Sequence, residues 1–315
     1  MAFGTIVALP ESESQRDLQL IQAMIPILLN SSHPNHTPAL VRSSSVWAIG
    51  RLFQEKLTIL LSSNIDPTPL LNGLMNSLSD SNTRVQEQVL TSITQFGETL
   101  PEEINGVSSQ IIVFLLVQRL FQFTSQPNLD TKLKVASYDV MSSLIESNPL
   151  ENEQQSVMIF EEIIRRLESA LDHSTEDLEP LCGFLSSSFN GISSRTLESY
   201  AHTLVHILLR SISYAPSNSF LTFGKLISLL PQIIRCHHYA ILNAVIHELD
   251  SNPCRDSISF VGDICHSLLD GVTPYANTLI PCLLRILHNP THRFDNSVPI
   301  LFFLLGNFDP WWSLP

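Results

Sequence analysis

The chain has 315 residues, with 17 Lys and Arg against 30 Asp and Glu, and its formal net charge is −13. A basic surface is needed to displace counterions from nucleic acid or to dock on an anionic membrane, so this balance argues against both partners. An acidic surface favours basic protein partners, or it only keeps the protein soluble. Five cysteines without a C-x-x-C spacing point to a reducing compartment, which predicts a soluble intracellular protein.

Helical patterns dominate the sequence from its start. Apolar residues recur at the three-to-four spacing of an amphipathic helix over residues 18–29, 85–96 and 159–171. Turns between helices are predicted where proline interrupts the pattern, at Pro34, Pro67, Pro127, Pro149, Pro216, Pro253 and Pro290. No segment shows the alternation of a β-strand, so the helices are expected to pack on one another as hairpins.

The spacing of these hairpins predicts a repeat architecture. Second helices are expected to begin near residues 40, 83, 131, 177, 217, 255 and 292, which are about 37 to 48 residues apart. We therefore predict an all-α fold, an α-solenoid (superhelix) of HEAT- or armadillo-like helical hairpin repeats. We expect residues 1–315 to form a single array of about seven repeats, with bounds near 1–9 (partial), 15–62, 67–100, 107–147, 151–190, 194–231, 232–270 and 272–308.

Both ends of the chain look like cut ends of an array. Residues 1–9 resemble the end of a second helix, and the aromatic group Phe302, Phe303, Phe308, Trp311 and Trp312 precedes no closing repeat. Because an uncapped solenoid end exposes core, we expect an internal slice of a longer array. A truncated gene product without activity of its own is the alternative.

Several stretches are similar to the importin-β (karyopherin-β) family. The sequence VRSSSVWAIGR at 41–51 resembles that family's V-R-D-x-x-x-W-T-x-G-R helix, and residues 1–4 with 22–26 resemble repeats in the middle of its array. Residues 181–183, 261–265 and 292–293 follow in the family's order. The likeness therefore runs along nearly the whole chain, which would correspond to about the central third of a family member.

The resemblance implies a nuclear import receptor that is neither an enzyme nor dependent on a cofactor. Its second helices would line a concave face and bind basic protein cargo or an importin-α-type adaptor, and its outer helices would bind phenylalanine-glycine (FG) repeats of nucleoporins. The GTPase Ran displaces cargo in this family, but its main binding repeats are expected to lie outside this chain. The expected location is the cytoplasm and nucleus, with passage through the nuclear pore.

Candidate binding residues follow from charge and from the resemblance. Trp47 lies on a predicted second helix, where the family's tryptophan contacts the bound basic segment; packing between helices is the alternative. The next second helix has Thr91 where family members usually have another tryptophan. A stretch at 151–179 holds nine acidic residues against two arginines, including the candidate cargo-binding residues Glu161, Glu162, Glu168, Asp172, Glu176 and Asp177.

The acidic stretch is either a complement to basic cargo or a solvated helix face. The i,i+4 spacing predicts ion pairs Glu161–Arg165 and Glu162–Arg166 on that face. Reversing the charge of the stretch distinguishes the two interpretations, because only the first requires weaker binding of basic cargo.

Other residue clusters give weaker indications of a functional site. Phe114, Phe121 and Phe123 on a predicted first helix are expected in the core, with an external apolar slot as the alternative. Cys236-His237-His238 is a poor metal site, because neighbouring residues of a helix point in different directions. No catalytic motif is present. The alternative function is another HEAT scaffold, such as a phosphatase regulatory subunit or an assembly platform.

Overall fold

A computed structural model of the chain describes residues 14–33, 38–104, 106–173, 175–251, 253–268 and 273–288. The α-helices of these ranges are α1 (Ser14–Ser32), α2 (Ala39–Ser62), α3 (Thr68–Ser77), α4 (Thr83–Glu98), α5 (Ser109–Thr124), α6 (Thr131–Ser147), α7 (Glu153–His173), α8 (Leu178–Ser188), α9 (Ser194–Ser211), α10 (Pro216–Leu229), α11 (Pro231–Ser251), α12 (Arg255–Leu268) and α13 (Thr273–His288). Short 3₁₀ turns span Thr175–Asp177 and Phe189–Gly191. The predicted all-α class is confirmed.

Local sequence signals set the starts of the second helices. The side chain of Asn82 accepts from the Arg84 N–H at 3.1 Å, and that of Asp130 accepts from the Lys132 N–H at 2.8 Å. Such caps satisfy backbone donors that the first turn of a helix leaves unpaired. Pro216 begins α10, where its missing N–H costs no hydrogen bond.

The chain divides into two compact units, residues 1–159 and 160–315, with the boundary inside α7. In unit 1, hairpins α1/α2, α3/α4 and α5/α6 stack so that each second helix packs on the next, in the order α2, α4, α6. The core between these helices contains Phe53 and Phe96, whose ring centroids are 4.7 Å apart. Both rings are almost completely buried.

Unit 2 repeats this arrangement. Its second helices pack in the order α8, α10, α12, and its first helices α9, α11 and α13 pack on one another in a second row. Phe223 and Phe260 join α10 to α12 with ring centroids 5.5 Å apart. We refer to these layers as the second-helix row and the first-helix row of each unit.

One element was not predicted. Strands β1 (Glu103–Ile104) and β2 (Val107–Ser108) pair in antiparallel register between α4 and α5. The ribbon turns at Gly106, whose φ of 77° suits glycine. Strands of two residues are too short to produce a recognisable alternation of polar and apolar residues.

Candidate binding surfaces

The exposed side of α2 presents the candidate Trp47. Its indole is half-buried, and Arg51, Gln54 and Glu55 follow it one and two turns along the same helix. Arg51 donates to Gln54 Oε1 at 2.7 Å and forms an ion pair with Glu55 at 2.8 Å. The accessible part of the Trp47 ring therefore lies beside a charged stripe on the second-helix row of unit 1.

A groove of about 650 Å³ crosses this row. Its walls come from α2, α4 and α6, and the lining residues are Gln54, Glu87, Leu90, Thr91, Thr94, Gln95, Glu98, Lys132, Ala136, Asp139 and Val140. Three carboxylates and one ammonium group give the groove a net negative charge. Thr91, which stands where the resemblance predicts a second tryptophan, is one of its lining residues.

The groove contains an unsatisfied acceptor. Gln95 Oε1 is buried, and within the described part of the chain it has no hydrogen-bond partner. It lies against Gly50, since a Cβ built on that glycine would be 2.5 Å from Gln95 Oε1 and 2.5 Å from Ser92 Oγ. A buried polar atom without a partner is costly, so the close packing of α4 on Gly50 of α2 leaves an unfavourable contact in the wall of the groove.

Asp139 adds an unusual carboxylate to the groove wall. Partial burial raises the pKa of its side chain above the ordinary range, because the ionised form loses solvation. No described residue forms an ion pair or a side-chain hydrogen bond with it. A cation bound in the groove would stabilise the ionised carboxylate and offset its lost solvation.

A buried ion pair joins the first turn of α2 to the turn before α4. Arg42 of α2 donates to both carboxylate oxygens of Asp80, at 2.6 and 2.9 Å, and the Asn82 N–H donates to Asp80 Oδ1 at 2.9 Å. Burial favours a higher pKa for Asp80, but the hydrogen bonds of Arg42 and Asn82 outweigh it and lower the pKa. The pair holds the turn before α4 against α2, a contact that sequence reasoning missed.

The acidic stretch forms a different surface on α7. Glu162 accepts from Arg165 at 2.6 Å and from Arg166 at 2.7 Å. Its burial favours a higher pKa, but the two arginines outweigh that effect and lower the pKa. The predicted Glu162–Arg166 pair is thus confirmed, whereas the Glu161–Arg165 pair stays a prediction.

Glu161 has another partner because a neighbouring helix supplies a donor. The hydroxyl of Tyr200 on α9 donates to Glu161 Oε1, and this bond raises the pKa of the tyrosine. Farther along the same seam, Arg210 donates to Asp172 at 2.8 Å and lowers the pKa of that carboxylate. Two of the candidate acidic residues therefore connect first helices of unit 2.

The other acidic candidates are more open. Glu168 and Glu176 are exposed, and within the described ranges no contact engages their side chains. Asp177 is half-buried at the start of α8. Trp47 belongs to a second helix of unit 1 and the acidic residues of α7 to a first helix of unit 2, so the candidates do not form one described site.

First helices of unit 1 carry exposed apolar side chains. Ile111 and Leu115 are one turn apart on α5, and 44% and 56% of their surfaces are exposed. Phe121 and Phe123 are buried in the core and Phe114 is half-buried, which favours the core interpretation of these rings. The aromatic group at 302–312 lies outside the described residues.

The cysteines and histidines form no recognised metal centre in the described part of the chain. No group of three or more His, Cys, Asp or Glu side chains is placed there to hold a metal ion. All five cysteines are free thiols, and His237 contacts His202 rather than a cysteine. Among the described helices, none combines the length and apolar character that crossing a membrane requires.

Comparison with known proteins gives consistent matches. A family model described as "Importin subunit beta-1-like, TPR repeats" matches residues 69–304. Importin subunit beta-1 of Arabidopsis thaliana is 22% identical, covering all of this chain and 40% of the relative. The Saccharomyces cerevisiae protein is 20% identical, covering 96% and 36%. The chain thus spans about two fifths of the length of these curated relatives.

Solved structures agree on the fold. Yeast importin-beta (Kap95p) superposes with a TM-score of 0.78 at 16% identity, covering 99% of this chain and 38% of Kap95p. A Kap95p structure in which Kap95p binding induces the switch loops of RanGDP to adopt the GTP-bound conformation gives 0.73 at 16% identity, covering 98% and 38%. These matches confirm the predicted HEAT-type α-solenoid.

Proposed function

The chain belongs to the importin subunit beta-1-like family, and from that premise we propose that it is a nuclear transport receptor segment that binds basic segments of protein cargo or of an importin-α-type adaptor. The observation that carries the proposal is the groove on the second-helix row of unit 1. It is negatively charged and contains the unpartnered Gln95 Oε1. Binding, rather than catalysis, is the proposed activity.

The groove suits an extended basic segment. Glu87 and Glu98 flank it on α4, and Asp139 faces it from α6. A Lys or Arg side chain in the groove would form an ion pair with Asp139, which has none among the described residues. Trp47 and Arg51 continue the same helix row and provide an aromatic face beside the groove.

Other surfaces have supporting roles in this proposal. Glu168 and Glu176 of unit 2 are exposed carboxylates that would attract a basic partner and raise its association rate. Ile111 and Leu115, exposed on a first helix of unit 1, would receive FG repeats. Ran is a further candidate partner, because Kap95p binds RanGDP. The proposed location is the cytoplasm and nucleus, with transient residence at the nuclear pore.

Titration with a fluorescent Lys- and Arg-rich peptide tests the proposal, with an acidic peptide of equal length as the negative control. The groove variant Glu87→Lys/Glu98→Lys is expected to weaken binding about tenfold or more, because two attractive charges become repulsive. The α7 variant Glu168→Lys/Glu176→Lys is expected mainly to lower the association rate and flatten its salt dependence.

The matched control is Glu102→Lys/Glu103→Lys, which changes the net charge equally at two exposed residues that do not line the groove. It is expected to change affinity less than about twofold. Equal losses in the groove variant and this control would remove the groove from the proposal. Absence of binding by the unaltered chain at micromolar concentrations would refute basic-segment recognition itself.

FG-repeat binding needs a separate test. A peptide with several FG repeats is expected to bind the unaltered chain weakly, and Leu115→Asp is expected to weaken that binding by placing a charge on the apolar face. Arg119→Asp, one turn farther along α5, is the control for a charge change without apolar loss. If Leu115→Asp binds the repeats as well as the unaltered chain does, this surface is not their site.

A further inference from the structure

Two imidazoles meet between neighbouring first helices of unit 2. Nε2 of His237 on α11 lies 2.9 Å from Nδ1 of His202 on α9, and the rings are nearly perpendicular, at 76° with centroids 4.8 Å apart. A hydrogen bond between imidazoles needs one protonated nitrogen and one with a free lone pair. The contact is therefore compatible with one charged ring but not with two.

We propose that the His202–His237 hydrogen bond is a proton-sensitive latch that holds α9 against α11 while either ring is neutral and releases when both are protonated. When both rings carry a proton, the two nitrogens are both donors and the rings carry like charges in contact. The latch would loosen the first-helix row of unit 2 in mild acid. It does not depend on cargo binding in unit 1.

One carboxylate lies near the latch. On α9, Glu198 lies one turn before His202, and it accepts from the neutral amide of Gln232 on α11 at 2.8 Å rather than from a histidine ring. His206 lies one turn after His202 and is exposed, so it adds no negative charge.

The remaining neighbours have contacts of their own. On α11 the latch histidine is flanked by Cys236 and His238, and His238 packs edge-on against Tyr275 of α13 at 6.2 Å. On α10, Lys225 is directed to Ser186 O. On α12, Asp263 lies against Gly224 of α10 and not against the histidines.

The direction of titration agrees with this geometry. Burial lowers the pKa of His237, and the charge on His202 lowers it further. The native state then binds fewer protons than the unfolded chain. Its stabilising contribution is complete above the ordinary histidine pKa and is lost as the pH falls through the lowered value.

Other connections in unit 2 do not respond in this pH range. The pKa of Asp172 is lowered by Arg210, so that pair stays ionised in mild acid. The second-helix row is held by Thr222 Oγ1, which donates to Cys182 O at 2.8 Å, and by Asn218 Nδ2, which donates to Glu179 O at 2.9 Å. Neither donor titrates near neutrality. Mild acid should therefore act on the α9–α11 seam selectively.

The test is an NMR titration of the histidine ring protons in the full chain, with a chelator present, from about pH 7.5 to about pH 5.5. The two rings are expected to protonate in two separate steps, the second at the lower pH, because the charge on the first ring opposes a second proton. His206→Gln, one turn away on α9, should leave these two steps unchanged. Protonation of both latch histidines in a single step would overturn the proposal.

Amide exchange provides the structural readout. Over the same range the protection of α9 and α11 is expected to fall several-fold relative to α10. His237→Gln keeps a hydrogen-bonding side chain that does not titrate, so it should abolish this pH dependence. His202→Lys/His237→Lys imitates the doubly protonated pair and should show low protection near neutral pH. If that variant does not fold, the His237→Gln comparison decides, and an unchanged pH dependence there would refute the latch.

Discussion

The second-helix rows of the two units are joined in the same way but present different surfaces. In unit 1, Ser92 Oγ donates to Val46 O at 3.1 Å, and in unit 2, Thr222 Oγ1 donates to Cys182 O at 2.8 Å. Each bond runs from a side chain of one second helix to a backbone carbonyl of the preceding one. The row of unit 1 nevertheless has a negatively charged groove, with three carboxylates and one lysine among its lining residues.

The difference lies in what the charged side chains contact. In unit 2, Lys225 Nζ donates to Ser186 O at 2.8 Å, and Asp263 Oδ2 lies against Gly224. The charge of Lys225 is thus engaged within the row, so it is less available to a partner. In unit 1, Glu87 and Glu98 border the groove without an ion pair among the described residues. Helix rows with similar packing can therefore differ in their charged side chains. Such side chains either form contacts within the row or stay available to a binding partner.

The largest change in stability is expected for a substitution that disturbs the close packing of α2 and α4 in unit 1. Gly50→Ala places a Cβ 2.5 Å from Gln95 Oε1 and 2.8 Å from Ser92 Cβ, so α2 and α4 must separate. We expect a net loss of about 1–2 kcal/mol in the free energy of unfolding, since overpacking outweighs the better helix propensity of alanine. Urea titration of the full chain measures the loss.

Gly183→Ala is the matched control on a second helix of unit 2. Its Cβ would meet Asn218 Nδ2 at 3.7 Å, an ordinary contact. Alanine should stabilise this helix by up to about 1 kcal/mol. If both variants change the free energy of unfolding equally, the close approach of α4 to Gly50 is not a feature that distinguishes the second-helix row of unit 1 from that of unit 2.

Much of this packing follows from sequence, but the groove does not. The second helices begin at Ala39, Thr83, Thr131, Leu178, Pro216 and Arg255, each within one residue of its predicted start, and the seventh predicted start lies outside the described residues. Local turn and capping signals determine such starts. The groove depends on how three helices are rotated about their axes, which is set by contacts such as Gly50 with Gln95 that join residues 45 positions apart.

Partner choice on α7 shows the same limit. The spacing of charges predicted a partner for Glu161 one turn away, yet its partner Tyr200 is 39 residues away on the next first helix. Periodicity identifies which side of a helix is exposed. It does not identify which neighbour competes for a charge on that side. Trp47 was proposed from resemblance, and its role in binding stays a prediction.

A smaller change in stability is expected when one inter-helix hydrogen bond is removed. A matched pair of variants tests whether such bonds contribute equally to the free energy of unfolding in both units. Ser92→Ala removes the donor to Val46 O, and Lys225→Met removes the donor to Ser186 O while keeping the aliphatic stem. Each variant is expected to lose about 1 kcal/mol in the free energy of unfolding, the usual net value of one hydrogen bond. Urea titration again provides the measurement.

Ser228→Ala is the control, because its hydroxyl bonds only within α10, to Lys225 O at 2.8 Å, among the described residues. It should change stability by less than about 0.5 kcal/mol. A loss in Ser92→Ala with no loss in Lys225→Met would mean that the charge in unit 2 is not needed for packing. The contrast drawn between the rows would then fail.

The smallest expected effect concerns the pH dependence of peptide binding in unit 1. Burial raises the pKa of Asp139 in the free chain, and a cation in the groove would lower it again by favouring the ionised form. Binding would then release a proton, so affinity for the basic peptide should fall as the pH drops through the raised value. Asp139→Asn should bind without this dependence, and an unchanged pH profile in that variant would place the peptide away from Asp139.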